Sequence, residues 1–128
     1  MSSSENFVIA LDGGSGTGKS TTAKIVAKTL GITYLDTGAM YRAVTLAALD
    51  KGLPAEEGPA MDELLSNLTL GFDSENHILI NGVCRESEIR GMKVSSNVSI
   101  YCALPSVRAA MTKQQREIGK KQSCILDG

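Results

Sequence analysis

Eight consecutive residues carry the clearest chemistry in this sequence: Gly13-Gly14-Ser15-Gly16-Thr17-Gly18-Lys19-Ser20 fits GxxxxGK[ST] at every fixed position. Glycines at this spacing let the backbone wrap tightly with its N–H groups turned inward, and the start of a helix after them adds partial positive charge. Such a loop holds the phosphates of a nucleoside triphosphate. Lys19 would reach the β and γ phosphates and stay with the charge that moves during transfer, which makes it the candidate catalytic residue. The Ser20 hydroxyl would ligate Mg²⁺, and Thr21 follows it as the last of the candidate ATP-binding residues, 13–21. The bland alternative is a flexible glycine loop.

A phosphate-binding loop does not define the acceptor, so other residues must. Leu35-Asp36-Thr37-Gly38-Ala39-Met40-Tyr41-Arg42 follows a predicted strand and falls at the carboxyl edge of the sheet, where Arg42 could hold a second phosphate by a bidentate contact. By spacing alone, a solvated surface arginine is an equal reading. Asp127 ends an apolar strand, from which a carboxylate can reach the hydration shell of Mg²⁺; a turn Asp before Gly128 is the alternative. Arg108, Thr112 and Arg116 are spaced by four and read as a solvated helix stripe. Cys84, Cys102 and Cys124 are odd in number and lack a CxxC pair, so they read as small buried hydrophobes rather than as a disulfide or zinc framework. His77, with no second His and no Cys beside it, reads as an ordinary strand or turn residue.

The elements that must position these groups alternate. Residues 7–11 form a short apolar run suited to a strand buried on both faces, and from Lys19 onward Ala23, Val26, Ala27 and Leu30 recur at helical spacing up to Gly31. Residues 32–35 read as a second strand, and Met40, Val44, Ala47 and Ala48 as a second helix closed by Gly52 and Pro54. This order implies an α/β parallel sheet with crossover connections. Between residues 66 and 90 the pattern changes: Leu68, Leu70 and Phe72 alternate, Asp73-Ser74-Glu75-Asn76 is turn-like, and Asn81-Gly82 follows residues 77–80, which predicts a small antiparallel insert. A last helix is predicted from Pro105, with Val107, Ala110, Met111 and Ile118 on one side, followed by a buried strand at residues 123–126.

A chain of 128 residues with 42% hydrophobic and 21% charged residues is expected to form a single soluble globular unit with one core. Its net charge of −1, from 13 basic against 14 acidic residues, disfavours nucleic acid and anionic membrane surfaces as partners. The first apolar run is too brief for a signal core or a membrane span, so a cytoplasmic protein is expected.

With these residues in place, the chain resembles the bacterial cytidylate kinase family over nearly its whole length. The landmarks are the phosphate loop 13–20, the segment 35–44, Glu88-Ile89-Arg90 with Val94-Ser95, Leu104-Pro105-Ser106-Val107-Arg108, Gln115-Arg116 and Leu126-Asp127-Gly128. The loop alone is widely shared; the second segment is far more restrictive. The resemblance implies an α/β fold with a P-loop NTPase-type parallel sheet, flanking helices and a small antiparallel NMP-binding insert. It divides the chain into P-loop core (1–65), insert (66–100) and continued core (101–128). It also implies transfer of the γ-phosphoryl of ATP, with Mg²⁺, to CMP or dCMP, and it implies no protein partner. Carried onto this sequence, Thr37 and Arg42 would contact the CMP phosphate, Tyr41 would line that pocket, Ser99 and Arg108 would recognise cytosine, and Asp36 would belong to the same CMP-binding set. A further arginine and aspartate, and later an arginine-bearing lid, follow the Leu-Asp-Gly element in the family. Residues 1–128 by themselves are therefore expected to bind nucleotide weakly and not to turn over. The competing readings are a P-loop kinase of another small acceptor and a non-catalytic nucleotide-binding module; a GTP switch would need an Asn-Lys-x-Asp segment, which the sequence lacks.

Overall fold

The apolar run ending at Leu11 forms strand β1 (Val8–Leu11), and the helical spacing after it forms α1 (Lys19–Leu30). Both are seen in a computed structural model that describes residues 8–11, 19–73, 75–121 and 123–127. The glycine-rich segment 13–18 lies outside the described residues, and so do the side chains of Lys19, Ser20 and Asp127. Helix α1 ends as its sequence requires: Gly31, at φ 69°, takes the left-handed conformation, and the Ile32 N–H donates back to the Ala27 carbonyl at 2.9 Å.

In place of the single unit expected from length and composition, the chain divides into two compact units, residues 1–37 with 115–128 and residues 38–114. In the first, β2 (Thr33–Leu35) and β6 (Cys124–Asp127) join β1 in a parallel sheet of order β1-β6-β2. The last strand is thus central, pairing Leu11 with Asp127 on one side and Leu35 with Leu126 on the other. Ala23 and Ala27 are small enough to let α1 approach the sheet closely, and they pack with Tyr34 and Ile125 in a core completed by Ile9, Val26 and Ile32.

The second unit takes in most of α2 (Thr37–Asp50), then α3 (Pro59–Ser66), strands β3 (Leu70–Phe72), β4 (Ile78–Ile80) and β5 (Val83–Cys84), helices α4 (Glu86–Ile89) and α5 (Met92–Cys102), and much of α6 (Pro105–Lys121). Strands β3, β4 and β5 form an antiparallel sheet in that order within the predicted 66–90 region. Asn81 and Gly82 have φ 50° and 83°, the paired positive values of a two-residue hairpin turn, and the Asn81 side chain accepts the Thr69 N–H at 2.8 Å. Arg85 ties this sheet to α2: its guanidinium holds Glu88 at 2.9 and 2.5 Å and also reaches Asp50. The two carboxylates, Glu88 first, raise its pKa. Among the described residues no helix is long and apolar enough to cross a membrane.

Three helices, α3, α4 and α5, were not foreseen in the sequence. Helix α5 shows why: only Val94 and Tyr101 are buried, while Met92 and Ile100 are exposed, so its apolar residues make no single stripe. The cysteine reading also needs correction. Cys124 is buried and Cys102 half-buried, but Cys84 is exposed on the edge strand β5, where one side of the ladder faces solvent.

Two substitutions test the antiparallel sheet. Gly82→Ala forces an L-residue into the left-handed region and is expected to lower stability by roughly 1–2 kcal/mol. Ile78→Ala empties a fully buried position and is expected to lose about 2–5 kcal/mol. Urea titration would measure both, with exposed Val83→Ala as the control; Gly82→Ala no more harmful than that control would contradict the turn geometry.

Candidate functional site

Helix α2 is buried over most of its circumference: Ala39, Met40 and every residue from Ala43 to Ala48 are buried. Tyr41 and Arg42, in the gap between them, are half-buried. Arg42 is held across the unit by its Nη1, which donates to Ser95 Oγ on α5 at 2.8 Å and to the carbonyl of Ile89, at the end of α4, at 3.3 Å. Both acceptors are neutral. Among the described residues no carboxylate pairs with Arg42, and Nη1 makes the two bonds given, which leaves its other N–H groups available to an anion as far as the described residues go.

Ser95, Ser99 and Cys102 are spaced by four and three along α5, which puts them on one helix face. Burial raises the pKa of the Cys102 thiol; Arg108 and then Arg42 oppose that rise. Both guanidiniums are therefore close enough to Cys102 to act on its charge. Arg108, from the first turns of α6, is exposed, and it too forms no ion pair with a described residue. Arg42 thus engages the α5 face that also carries Ser99 and Cys102, and Arg108 stands on the next helix.

The other predicted residues are placed by backbone. Asp36 follows β2 and Thr37 opens α2, both half-buried. Lys19 and Ser20 open α1, and Thr21 is exposed in its first turn. Asp127 closes β6 beside Leu11, the last described residue before the glycine-rich segment. The solvated-stripe reading of Arg108, Thr112 and Arg116 holds, since all three are exposed, and the Thr112 hydroxyl bonds the Arg108 carbonyl at 3.1 Å. Sequence reasoning gave no role to Ser95 as the holder of Arg42 or to Cys102. The spacing 95, 99, 102 would have shown the shared face had α5 been read as a helix.

Comparison with known proteins now bears on this arrangement. A family model described as cytidylate kinase matches residues 9–128. The chain belongs to the cytidylate kinase family. It is 48% identical over 123 residues to a cytidylate kinase of Clostridioides difficile (strain 630), covering 96% of this chain and 56% of that protein. It is 42% identical over 127 residues to a cytidylate kinase of Shouchella clausii (strain KSM-K16), covering 97% and 56%. It is 46% identical over 123 residues to a bifunctional pantoate ligase/cytidylate kinase of Trichodesmium erythraeum (strain IMS101), covering 94% and 23%. The chain thus spans about half the length of the cytidylate kinases it matches.

The shared influence on Cys102 is open to test. In a Cys84→Ser background, the pH midpoint for alkylation of Cys102, followed by peptide mass, should move upward on Arg108→Ala and less so on Arg42→Ala. The sign follows from charge: a guanidinium favours the thiolate, and its loss lets burial push the thiol further up. A midpoint unmoved by both substitutions would separate the two arginines.

Proposed function

We propose that the protein transfers the γ-phosphoryl of ATP to CMP or dCMP, giving CDP or dCDP. The single observation that supports this most is the half-buried Arg42 guanidinium, steered by Ser95 and the Ile89 carbonyl yet left without a carboxylate partner among the described residues. A charge held in this way suits an acceptor phosphate. Membership of the cytidylate kinase family, and the names carried by its relatives, support a cytidine nucleotide as the acceptor.

In this reading residues 66–100 form the NMP-binding insert, with α5 supplying Ser95 and Ser99, and residues 1–65 and 101–128 form the P-loop core. Arg42 and Thr37 hold the CMP phosphate, Asp36 and Tyr41 border it, and Ser99 and Arg108 read the cytosine edge. The segment 13–18 with Lys19, Ser20 and Thr21 holds ATP, Lys19 staying with the transferring charge.

The donor set also suits Mg²⁺. The β1–β6 register pairs Asp127 with Leu11, so the last residue of the central strand lies beside the strand end that leads into residues 12–18. A serine hydroxyl from Ser20 and a carboxylate from Asp127 acting through water are the hard oxygen donors that Mg²⁺ accepts. When bound, Mg²⁺ would neutralise charge on the β and γ phosphates. What the chain itself does is bind, align the acceptor and surround the moving charge with Lys19 and the arginines.

Kinetics in the full-length protein separate the two substrates. Arg42→Ala should raise KM for CMP about ten- to a hundred-fold, the value of one charge-assisted phosphate contact, and leave KM for ATP nearly unchanged. Equal effects on both would count against an acceptor role. Lys19→Ala should lower kcat at least ~10²-fold with unaltered circular dichroism. A thermal-shift series with CMP, dCMP, UMP, AMP and shikimate, each with and without an ATP analogue, tests the acceptor directly; stabilisation by UMP or AMP as strong as by CMP would overturn the cytidine assignment.

A further inference from the structure

The antiparallel sheet β3-β4-β5 has one face turned to the core, where Ile78 and Ile80 are buried. Alternation along β4 sends His77 and Leu79 to the other face. Across β4 and β5, Leu79 pairs with Cys84, so Cys84 shares that outer face and is the diagonal neighbour of His77. On the other side, the Asp73 N–H donates to the His77 carbonyl at 3.0 Å, which sets Asp73 opposite His77 one step beyond the Phe72–Ile78 pair. Register alone brings an aspartate, a histidine and a cysteine together.

The side chains use this placement. Asp73, His77 and Cys84 each present a donor atom, and all three atoms lie within 4.8 Å of one another. The two oxygens of Asp73 divide their work. Oδ1 accepts the N–H groups of Glu75 and His77, each at 2.9 Å, and so builds the turn. Oδ2 faces the ring of His77, 3.6 Å from Nδ1, which is too long for a good hydrogen bond. It is the spacing of two ligands around one ion: bonds of about 2.0–2.3 Å at the tetrahedral angle set donors roughly 3.3–3.8 Å apart. Hydrogen bonding from the backbone N–H of His77 first, and then of Glu75, holds the Asp73 carboxyl below its ordinary range. Glu75 Oε2, 3.8 Å from His77 Nδ1, adds negative charge beside the ring.

We propose that the Asp73 carboxylate, the His77 imidazole and the Cys84 thiolate form a three-ligand site for a zinc-class divalent cation on the outer face of the antiparallel sheet, with water in the fourth position. Oxygen, nitrogen and sulfur donors in one cluster select a borderline-soft tetrahedral ion over Mg²⁺, whose ligands are oxygens. Binding deprotonates the Cys84 thiol and releases that proton to solvent. The ion would cross-link the turn after β3, the start of β4 and the edge strand β5. This site is independent of nucleotide binding, and a chain without kinase activity would still carry it.

Cobalt substitution tests it on the reduced protein. Titration with Co²⁺ should give, at one equivalent, a near-ultraviolet thiolate-to-cobalt charge-transfer band with visible bands of tetrahedral intensity, and Zn²⁺ should displace them. Cys84→Ser, at an exposed position, should abolish the charge-transfer band with unchanged circular dichroism. His77→Ala and Asp73→Asn should each weaken the competing Zn²⁺ affinity by at least the ten- to hundred-fold typical of losing even an outer-sphere partner, and Asn retains an oxygen to accept the turn N–H groups. No charge-transfer band, a band that survives Cys84→Ser because Cys102 or Cys124 carries it, or an affinity indifferent to His77→Ala and Asp73→Asn would each overturn the site.

Discussion

The candidate site depends on how Arg42 is held. A half-buried guanidinium is normally satisfied by a carboxylate, which would neutralise it and close the position to an anionic ligand. Here the described restraint comes from a serine hydroxyl and a main-chain carbonyl, so the direction of the group is set without its charge being consumed. The same two bonds connect α2 with the end of α4 and with α5, and they make the short helix α4 part of the site although none of its side chains is a candidate ligand. Arg85, in the same unit, is the opposite case. It is enclosed by Glu88 and Asp50, so it braces the end of α2 against the sheet and has no charge left for a ligand.

Helix α5 translates that restraint into a surface. Ser95 is engaged by Arg42, and one turn later Ser99 is exposed on the same side, followed by Cys102. Tyr101, turned into the core, donates its hydroxyl to the Leu53 carbonyl and fixes the rotation of α5 about its axis. A buried tyrosine on one side of the helix thus determines which polar residues the other side offers. The antiparallel sheet follows the same logic on a smaller scale, since burial of Ile78 and Ile80 obliges His77, Leu79 and Cys84 to face outward.

Several local features were legible without the structure. The ends of α1 and α2, the Asn81-Gly82 turn, the antiparallel character of 66–90 and the start of α6 at Pro105 all follow from residue types acting on their immediate neighbours. Helix α5 was not legible, because Met92 and Ile100 remain exposed while Val94 and Tyr101 are buried, and periodicity reads burial only when the apolar residues share a face. For the same reason Ser95 and Cys102 had no visible role. His77 has no second histidine and no cysteine beside it in sequence; Cys84 becomes its neighbour only through strand pairing.

The amino-acid sequence by itself determined the phosphate-loop motif, the alternation of strands and helices, and the membership in a family whose landmarks run along the whole chain. These are properties of short segments, and steric and hydrogen-bonding rules over a few residues suffice to set them. Only the tertiary structure decided that Arg42 meets Ile89 and Ser95, 47 and 53 residues away, and that Asp73, His77 and Cys84 share one face of a sheet. Contacts at that range depend on strand register and on the rotation of packed helices. Those are set by the burial of apolar groups on the opposite faces rather than by the polar residues themselves.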